Sequence, residues 1–318
     1  MRIRLLAATG IAAAALVGAA NAQTVGLGTT KGTALDQMAA ALSKTVSSHG
    51  NMQMRPQPMG GTQTYIQVID QGKLEFGIAN VMQTYMAVHG TGISEGHKFS
   101  NLRAVATLMA FRNGLAVANN SDIKTAADLK GKRLPYGFKG APLFRYFIDA
   151  TLVNGGLTAA DVTKVPAVGL FQSWNLFKQG KVDGVITAIG SGATTEMNAT
   201  IPGGVRFIDM VTTGPRAEQT LDTLPGIYFA KVTPDPKFVG VHSPTDIYGY
   251  YFVVLTYKDM SAEIVTRVAK AIYENVAEIK ATAAMWVSFN SATVAKQHKG
   301  IPYHPAAEAF YKKVGAWK

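Results

Sequence analysis

The sequence predicts an α/β protein of two lobes, each a mainly parallel sheet flanked by helices, with extended strands joining them. Three observations carry this expectation. Apolar residues switch repeatedly between strand and helical spacing, glycine-rich turns stand where strands give way to helices, and the whole alternation runs through the chain twice. At 318 residues, 47% apolar and 16% charged, the chain has a globular composition and more length than one hydrophobic core usually serves.

Residues 24–28 form a short apolar and glycine run that reads as a first strand. Thr29 to Thr33 then turn the chain into a helix on which Leu35, Met38, Ala39, Leu42 and Val46 recur at helical spacing, with Thr33 and Asp36 resembling a capping box. Residues 52–57 supply a second strand, Gly60, Gly61 and Thr62 open a second helix, and Leu74, Phe76 and Ile78 alternate as a third strand. Two apolar runs between Leu102 and Val117 are separated by Arg112, Asn113 and Gly114, and a short helix ends at Gly131.

A second unit starts there. Residues 133–136 read as a strand, 142–154 as a helix, and Thr158 with Asp161 as another capping signal. Leu170, Trp174 and Phe177 mark a further helix before a strand at 182–189 and the glycine-rich segment 190–193. From Thr212 to Thr245 the chain loses periodicity and gathers proline, as a long surface excursion would. Residues 250–257 favour a strand, and one long amphipathic helix follows through Ile264, Val268, Ile272, Val276 and Ile279.

Composition narrows the function. Arg2 and Arg4, an apolar stretch to Ala20 and the small-residue site 20–22 read as a cleavable secretory signal, since about 16 apolar residues fall short of the roughly 20 that span a bilayer. Cysteine is absent, which excludes disulfides, thiolate metal sites, a cysteine nucleophile and lipid attachment through an N-terminal cysteine. The excess of 31 Lys and Arg over 20 Asp and Glu favours anionic partners, but the charges are scattered and no nucleic-acid signature accompanies them. The six histidines never fall at metal-binding spacing, so neither metal nor cofactor is expected.

Three glycine-containing loops, at 28–33, 60–62 and 137–142, stand where a strand meets a helix. Free backbone N–H groups at a helix start attract anions, glycine admits a ligand close to the main chain, and threonine adds a hydroxyl. Dinucleotide binding fails on these residues, because Lys31 occupies the third glycine position of the 26–31 turn and no acidic residue lies between Asp36 and Asp70. The GxSxG string at 92–96 lacks the strand and helix that a nucleophile elbow requires. Aromatic residues at 228–229 and 248–252 read mostly as core, with some lining the cleft.

The order of these motifs resembles the TAXI family of TRAP-transporter solute receptors over nearly the whole chain after the leader. The landmarks are the loop 28–33, Gly60 to Thr62, the segment 72–80 ending in Asn80, IKTAADLKGKR at 123–133, the turn 178–184 and the proline–histidine–proline segment near 301–307. The resemblance implies a type II-like periplasmic binding protein that closes by hinge motion around a small solute and hands it to a membrane permease. Its expected lobes are residues 23–113 with 256–318, and 114–255. A monomer without enzymatic activity, cofactor or nucleic-acid partner is expected, with a periplasmic enzyme or a sensory receptor for a kinase as alternatives.

Two departures bear on the ligand. The family usually carries aromatic residues after the first glycine-threonine, where this chain has Ala34 and Leu35, and a glycine-serine-glycine-threonine loop in the second lobe, where it has Lys139, Gly140, Ala141 and Pro142. Both altered loops hold a lysine, Lys31 and Lys139, expected on opposite sides of the cleft to pair with carboxylates, with Arg112 or Arg145 as further cations. Thr29, Thr30, Gly32 and Thr33 complete the first ligand loop; Gly61, Thr62 and Asn80 stand beside it, and Ser191 and Tyr248 are expected from the second lobe. A dicarboxylate, 2-oxo acid or acidic amino acid would suit this set.

Overall fold

A computed structural model describes residues 23–31 and 33–317. The expected leader and Gly32 lie outside the described residues. The first unit comprises β1 (Thr24–Thr29), α1 (Ala34–His49), β2 (Gln53–Pro58), α2 (Thr62–Asp70), β3 (Phe76–Asn80) and α3 (Val81–His89), followed by the long strand β4 (Leu102–Ala118). The second repeats the order with β5 (Arg133–Gly137), α4 (Leu143–Asn154), β6 (Thr163–Ala167), α5 (Leu170–Lys178), β7 (Gly184–Ala188) and α6 (Gly192–Thr200). Then come β8 (Val205–Phe207), α7 (Pro215–Thr223), β9 (Tyr228–Val232), β10 (Thr245–Tyr257), α8 (Ala262–Glu274), α9 (Val276–Thr282), α10 (Ser291–Val294) and α11 (Pro305–Lys313).

The main sheet runs β2-β1-β3-β10-β4-β7, with β9 beside β10 and β8 beside β4. β1 is parallel to both β2 and β3, whereas β10 is antiparallel to β3 and to β4. β5 and β6 form a separate parallel pair, tied to the approach to β7 by the Asp183 amide, which donates to the Arg133 carbonyl at 2.8 Å, and by the Arg133–Asp183 ion pair. Both units therefore hang on one antiparallel ribbon, β4 with β10. The expected lobe boundaries at 113/114 and 255/256 both fall inside these strands.

Strand order fixes where the helices go. From β1 the chain moves outward to β2 and then back past β1 to β3, so right-handed crossovers put α1 and α2 on opposite faces. Gly26, Gly28 and Gly77 keep the α2 face flat: a Cβ on Gly28 would lie 2.9 Å from the Tyr65 ring, and one on Gly77 would lie 2.6 Å from Ile69. Gly28 of β1 and Gly77 of β3 thus admit the α2 side chains Tyr65 and Ile69 to the sheet. Opposite them, Leu27 and Phe76 are buried on the α1 side together with Met38, Leu42 and Val46. Each such apolar side chain contributes about 1.5–3 kcal/mol when fully withdrawn from water.

Several local expectations change. Residues 102–118 form one strand rather than two runs, because Gly114 lies beneath Phe207 and Ile247, where a Cβ would approach to 2.8 and 3.1 Å, and makes no turn. Thr158 and Asp161 close a turn instead of starting a helix, the Asp161 carboxylate accepting from the Thr158 amide at 2.8 Å before β6 begins. The stretch 212–245 contains α7, entered through Gly214 and Pro215, and strand β9. β10 begins at Thr245, ahead of the expected 250, and the long terminal helix divides at Asn275, whose side chain donates to the Ala271 carbonyl.

Candidate functional site

The last strand of each unit ends at the middle of the ribbon: β3, parallel to β1, on one side and β7, antiparallel to β4, on the other. Asn80, last in β3, pairs with Phe252; Ala188, last in β7, pairs with Asn113, which in turn faces Tyr248. Phe252 and Tyr248 are four residues apart on β10, about 13 Å at strand rise. The loops after β3 and β7 therefore leave the sheet about that far apart, one on each side of the ribbon's middle. The pairing between β4 and β10 shifts register between Tyr251 and Val253, leaving an extra residue in β4. Such a bulge bends and twists a strand.

The loops of the first unit are held from within. The Thr33 hydroxyl donates to the Thr30 carbonyl at 2.7 Å and accepts from the Leu35 amide, so Thr33 caps α1. Thr29 is buried and its hydroxyl has no hydrogen-bond partner among the described residues; the Gln63 side-chain amide at the start of α2 is likewise unpaired. Gly61 precedes α2 without a side-chain cap, and a Cβ there would meet nothing within 4 Å. Thr62 is buried, with its hydroxyl 3.1 Å from that of Tyr65. Burial pushes the Tyr65 phenol up to about 12, against the opposing effect of the Thr62 and Thr30 hydroxyls. Asn80 caps α3, its carboxamide spent on Gln83 at 2.8 and 2.5 Å. Lys31 is exposed.

In the second unit, Lys139 and Gly140 are exposed in the turn between β5 and α4. The Gly140 amide donates to the Val168 carbonyl at 2.8 Å and the Ala141 amide to the Phe138 carbonyl at 2.9 Å, which fixes the loop against the one after β6. Phe138, a non-glycine residue at φ 48°, is held there with its ring buried. That conformation costs about 1–2 kcal/mol and persists only where packing imposes it. Ser191 caps α6 by accepting from the Thr194 amide. Lys31, Lys139 and Arg112 make no ion pair with another described residue, whereas Arg145 lies 3.8 Å from Asp149.

Alternation along the ribbon gives its faces different chemistry. On one face, a row of rings runs from the Lys139 loop to Asn80: Phe138 meets Phe144 at 6.2 Å, Phe144 stacks on Phe147 at 5.8 Å, and Phe147 meets Tyr248 and Tyr250 at 5.7 and 5.8 Å. Tyr250 and Phe111 both reach Phe252, each at 5.7 Å between ring centres. Asn113 donates to the Tyr250 hydroxyl at 3.1 Å and leaves its own buried carbonyl oxygen unpartnered. Tyr248 is fully buried under α4 with its hydroxyl 3.1 Å from Thr151, so it stands behind this row and not at its surface.

The other face carries Arg112, Gly249 and Tyr228, paired side by side across β4, β10 and β9. A Cβ on Gly249 would come within 2.5 Å of the Tyr228 ring, so glycine is what lets that ring lie flat across β10. Arg112 stacks over Phe238 at 5.2 Å. Tyr251 lies between the Tyr228 ring at 5.6 Å and the His298 ring at 5.5 Å, with the Lys296 ammonium over its own ring. Burial, and then the charge of Lys296, hold His298 down to about 4, so it is neutral at pH 7.

A cavity of about 550 Å³ opens between the units, lined by Val81, Tyr85 and Met86 of α3, Tyr146 of α4, Leu221 and Asp222 of α7, and His298 with Lys299. It borders the predicted loops only through Val81, next to Asn80. Local sequence signals mark the glycine loops but not Phe111, Phe144 or Asn113; the apolar run through the middle of β4 is the available signal for Phe111, and Phe144 on α4 has only its helix's apolar spacing. No group of three or more His, Asp or Glu able to hold a metal occurs among the described residues.

Solved structures share this architecture. A TctC solute-binding protein from Polaromonas aligns with a TM-score of 0.55 at 12% identity, covering 84% of this chain and 89% of that one. PhnD1 from Prochlorococcus marinus, solved with methylphosphonate, aligns at 0.57 and 11% identity, covering 92% and 99%. The periplasmic aliphatic sulphonate binding protein SsuA from Escherichia coli aligns at 0.50 and 15% identity, covering 92% and 90%. At these identities the likeness establishes the fold, that of periplasmic solute-binding proteins. The model of the NMT1-like family matches residues 25–315, nearly the whole chain, and the protein therefore belongs to the NMT1-like family.

Proposed function

We propose that this chain is a periplasmic solute receptor of the TAXI type, which captures a carboxylate-bearing organic anion between two lobes and delivers it to a TRAP permease. The lobes are residues 23–113 with 256–318, and 114–255, and the β4–β10 ribbon is the hinge between them. The observation that carries this reading is the meeting of two sets of strand ends at the middle of one ribbon, because ligands of open α/β sheets lie beyond the carboxyl ends of the strands. Export rests on the leader read at residues 1–22. Binding without turnover is the reading for loops in which no serine or threonine hydroxyl is hydrogen-bonded to a histidine or carboxylate among the described residues.

Lys31 and Lys139 supply the charge for the carboxylate. A hydrogen bond to a charged group contributes roughly 1.5–3 kcal/mol, so Lys31→Ala or Lys139→Ala weakens binding about tenfold or more. The test is to unfold the purified protein, refold it free of carried-over ligand, and screen carboxylates, amino acids and sugars for a saturable rise in melting temperature. Consumption of the stabilising compound over time would assign the chain to an enzyme instead, and unchanged affinity in both lysine variants would remove the carboxylate contacts.

A further inference from the structure

Resting on the receptor reading, we propose that the bound anion carries a flat unsaturated ring, and that Phe111 and Phe144 are the residues that select it. A site that took short aliphatic dicarboxylates would need cations and hydroxyls at both ends and little else. The hinge instead presents an aromatic surface. Phe147, Tyr250 and Phe252 are buried, while Phe111 on β4 and Phe144 in the first turn of α4 are only half-buried. These two rings flank the Phe147–Tyr250 pair, each packed on a buried ring at 5.8 Å and each partly uncovered.

Their position is as informative as their exposure. Phe144 lies five residues beyond Lys139, on the helix which that loop begins, and Phe111 faces Tyr250, two residues along β10 from the partner of Asn80. The half-covered rings thus stand between the loops of the two units, where the receptor reading puts the solute. Asn113 adds a polar mark. It is 3% exposed, its amide nitrogen holds the Tyr250 hydroxyl, and its carbonyl oxygen lacks a donor. A buried acceptor of this kind calls for a donor, which on the receptor reading is an O–H or N–H of the ligand. The class that meets all three features is an aromatic or heteroaromatic carboxylate with a ring hydroxyl or ring N–H.

The experiment uses the ligand-stripped, refolded protein and three panels: benzoate, 4-hydroxybenzoate and indole-3-acetate; succinate, glutarate and glutamate; and glucose with galactose. Titration calorimetry is expected to give at least one aromatic acid about tenfold tighter affinity than any aliphatic acid. Phe111→Leu and Phe144→Leu keep apolar volume and are each expected to weaken that aromatic acid about three- to tenfold, the range of an aromatic pair, while changing aliphatic acids less than twofold. Circular dichroism and melting temperature establish that both variants fold; if either does not, the preference between panels in the parent protein decides alone. An aliphatic acid or sugar binding more tightly than every aromatic acid overturns the ring and leaves the receptor standing. Saturable binding by none of the panels overturns the receptor reading, and this inference with it.

Discussion

The two faces of the β4–β10 ribbon are made by the same strands yet differ in kind. One presents Phe111, Tyr250 and Phe252, joined to α4 by tilted ring contacts; the other presents Arg112, Tyr228 and Tyr251, with Arg112 over the Phe238 ring and Lys296 over the Tyr251 ring. Period-two alternation is enough to produce this split. What it teaches is that one strand shared by both units can serve as a dry wall and a polar wall at once, so neighbouring residues there have opposite surroundings. Tyr250 and Tyr251 are adjacent in sequence, and one shares a hydrogen bond with Asn113 while the other packs against His298.

The largest effect is expected on the dry face. Phe147 is fully buried and touches Phe144, Tyr248 and Tyr250, so Phe147→Ala removes the ring through which α4 is joined to the ribbon. Urea unfolding should show a loss of about 3–5 kcal/mol. A loss below 1 kcal/mol would mean that the row of rings is not what joins helix to ribbon.

On the polar face the corresponding break is Gly249→Ala. The added methyl meets the Tyr228 ring at 2.5 Å, which forces that ring off β10 and away from Arg112. Overpacking of this size costs about 1–3 kcal/mol, read in the same urea titration. Wild-type stability in this variant would show that Tyr228 has a second position available.

How much of this was legible in the sequence follows from the range over which each signal acts. The loops at 28–33, 60–62 and 137–142 were visible because glycine and threonine at a strand-to-helix junction are local signals, and Thr33 does cap α1. Asn113–Gly114 misled for the same reason. The dipeptide has turn chemistry, but Gly114 is there because Phe207 and Ile247, far away in sequence, leave no room for a Cβ. Thr158 with Asp161 makes one of the two bonds of a capping box, the Thr158 amide donating to the Asp161 carboxylate, but the Asp161 amide donates to the Thr158 carbonyl and the motif closes a turn. α7 escaped notice because only Ala217 and Thr220 are buried on it, which gives little apolar periodicity. The ring row could not be read at all, since Phe111, Phe144 and Tyr250 converge only once β4 pairs with β10 and α4 packs above them.

The polar face also titrates. His298 sits at about 4 in the fold and near 6.5 when unfolded, because burial and the Lys296 charge disfavour its cation. Between these values the unfolded chain binds the additional proton. Stability is therefore complete above about pH 6.5 and declines as pH falls toward 4, with a slope of up to about 1.4 kcal/mol per pH unit from this one group. His298→Gln should flatten that part of the profile relative to the parent, and an unchanged profile would mean that the imidazole is hydrated.

The smallest effect separates the surface of the dry face from its interior. Tyr248 was expected at the ligand, but its hydroxyl lies 3.1 Å from Thr151 beneath α4. Tyr248→Phe deletes that contact without stranding its partner, because the Thr151 hydroxyl still donates to the Phe147 carbonyl at 2.8 Å. The stability loss should stay below about 1 kcal/mol, since no buried polar group is left unsatisfied. Ligand affinity, measured by calorimetry on the same variant, should not change. A clear loss of affinity with unaltered stability would move Tyr248 back to the solute, and would require α4 to lift from the ribbon when the lobes close.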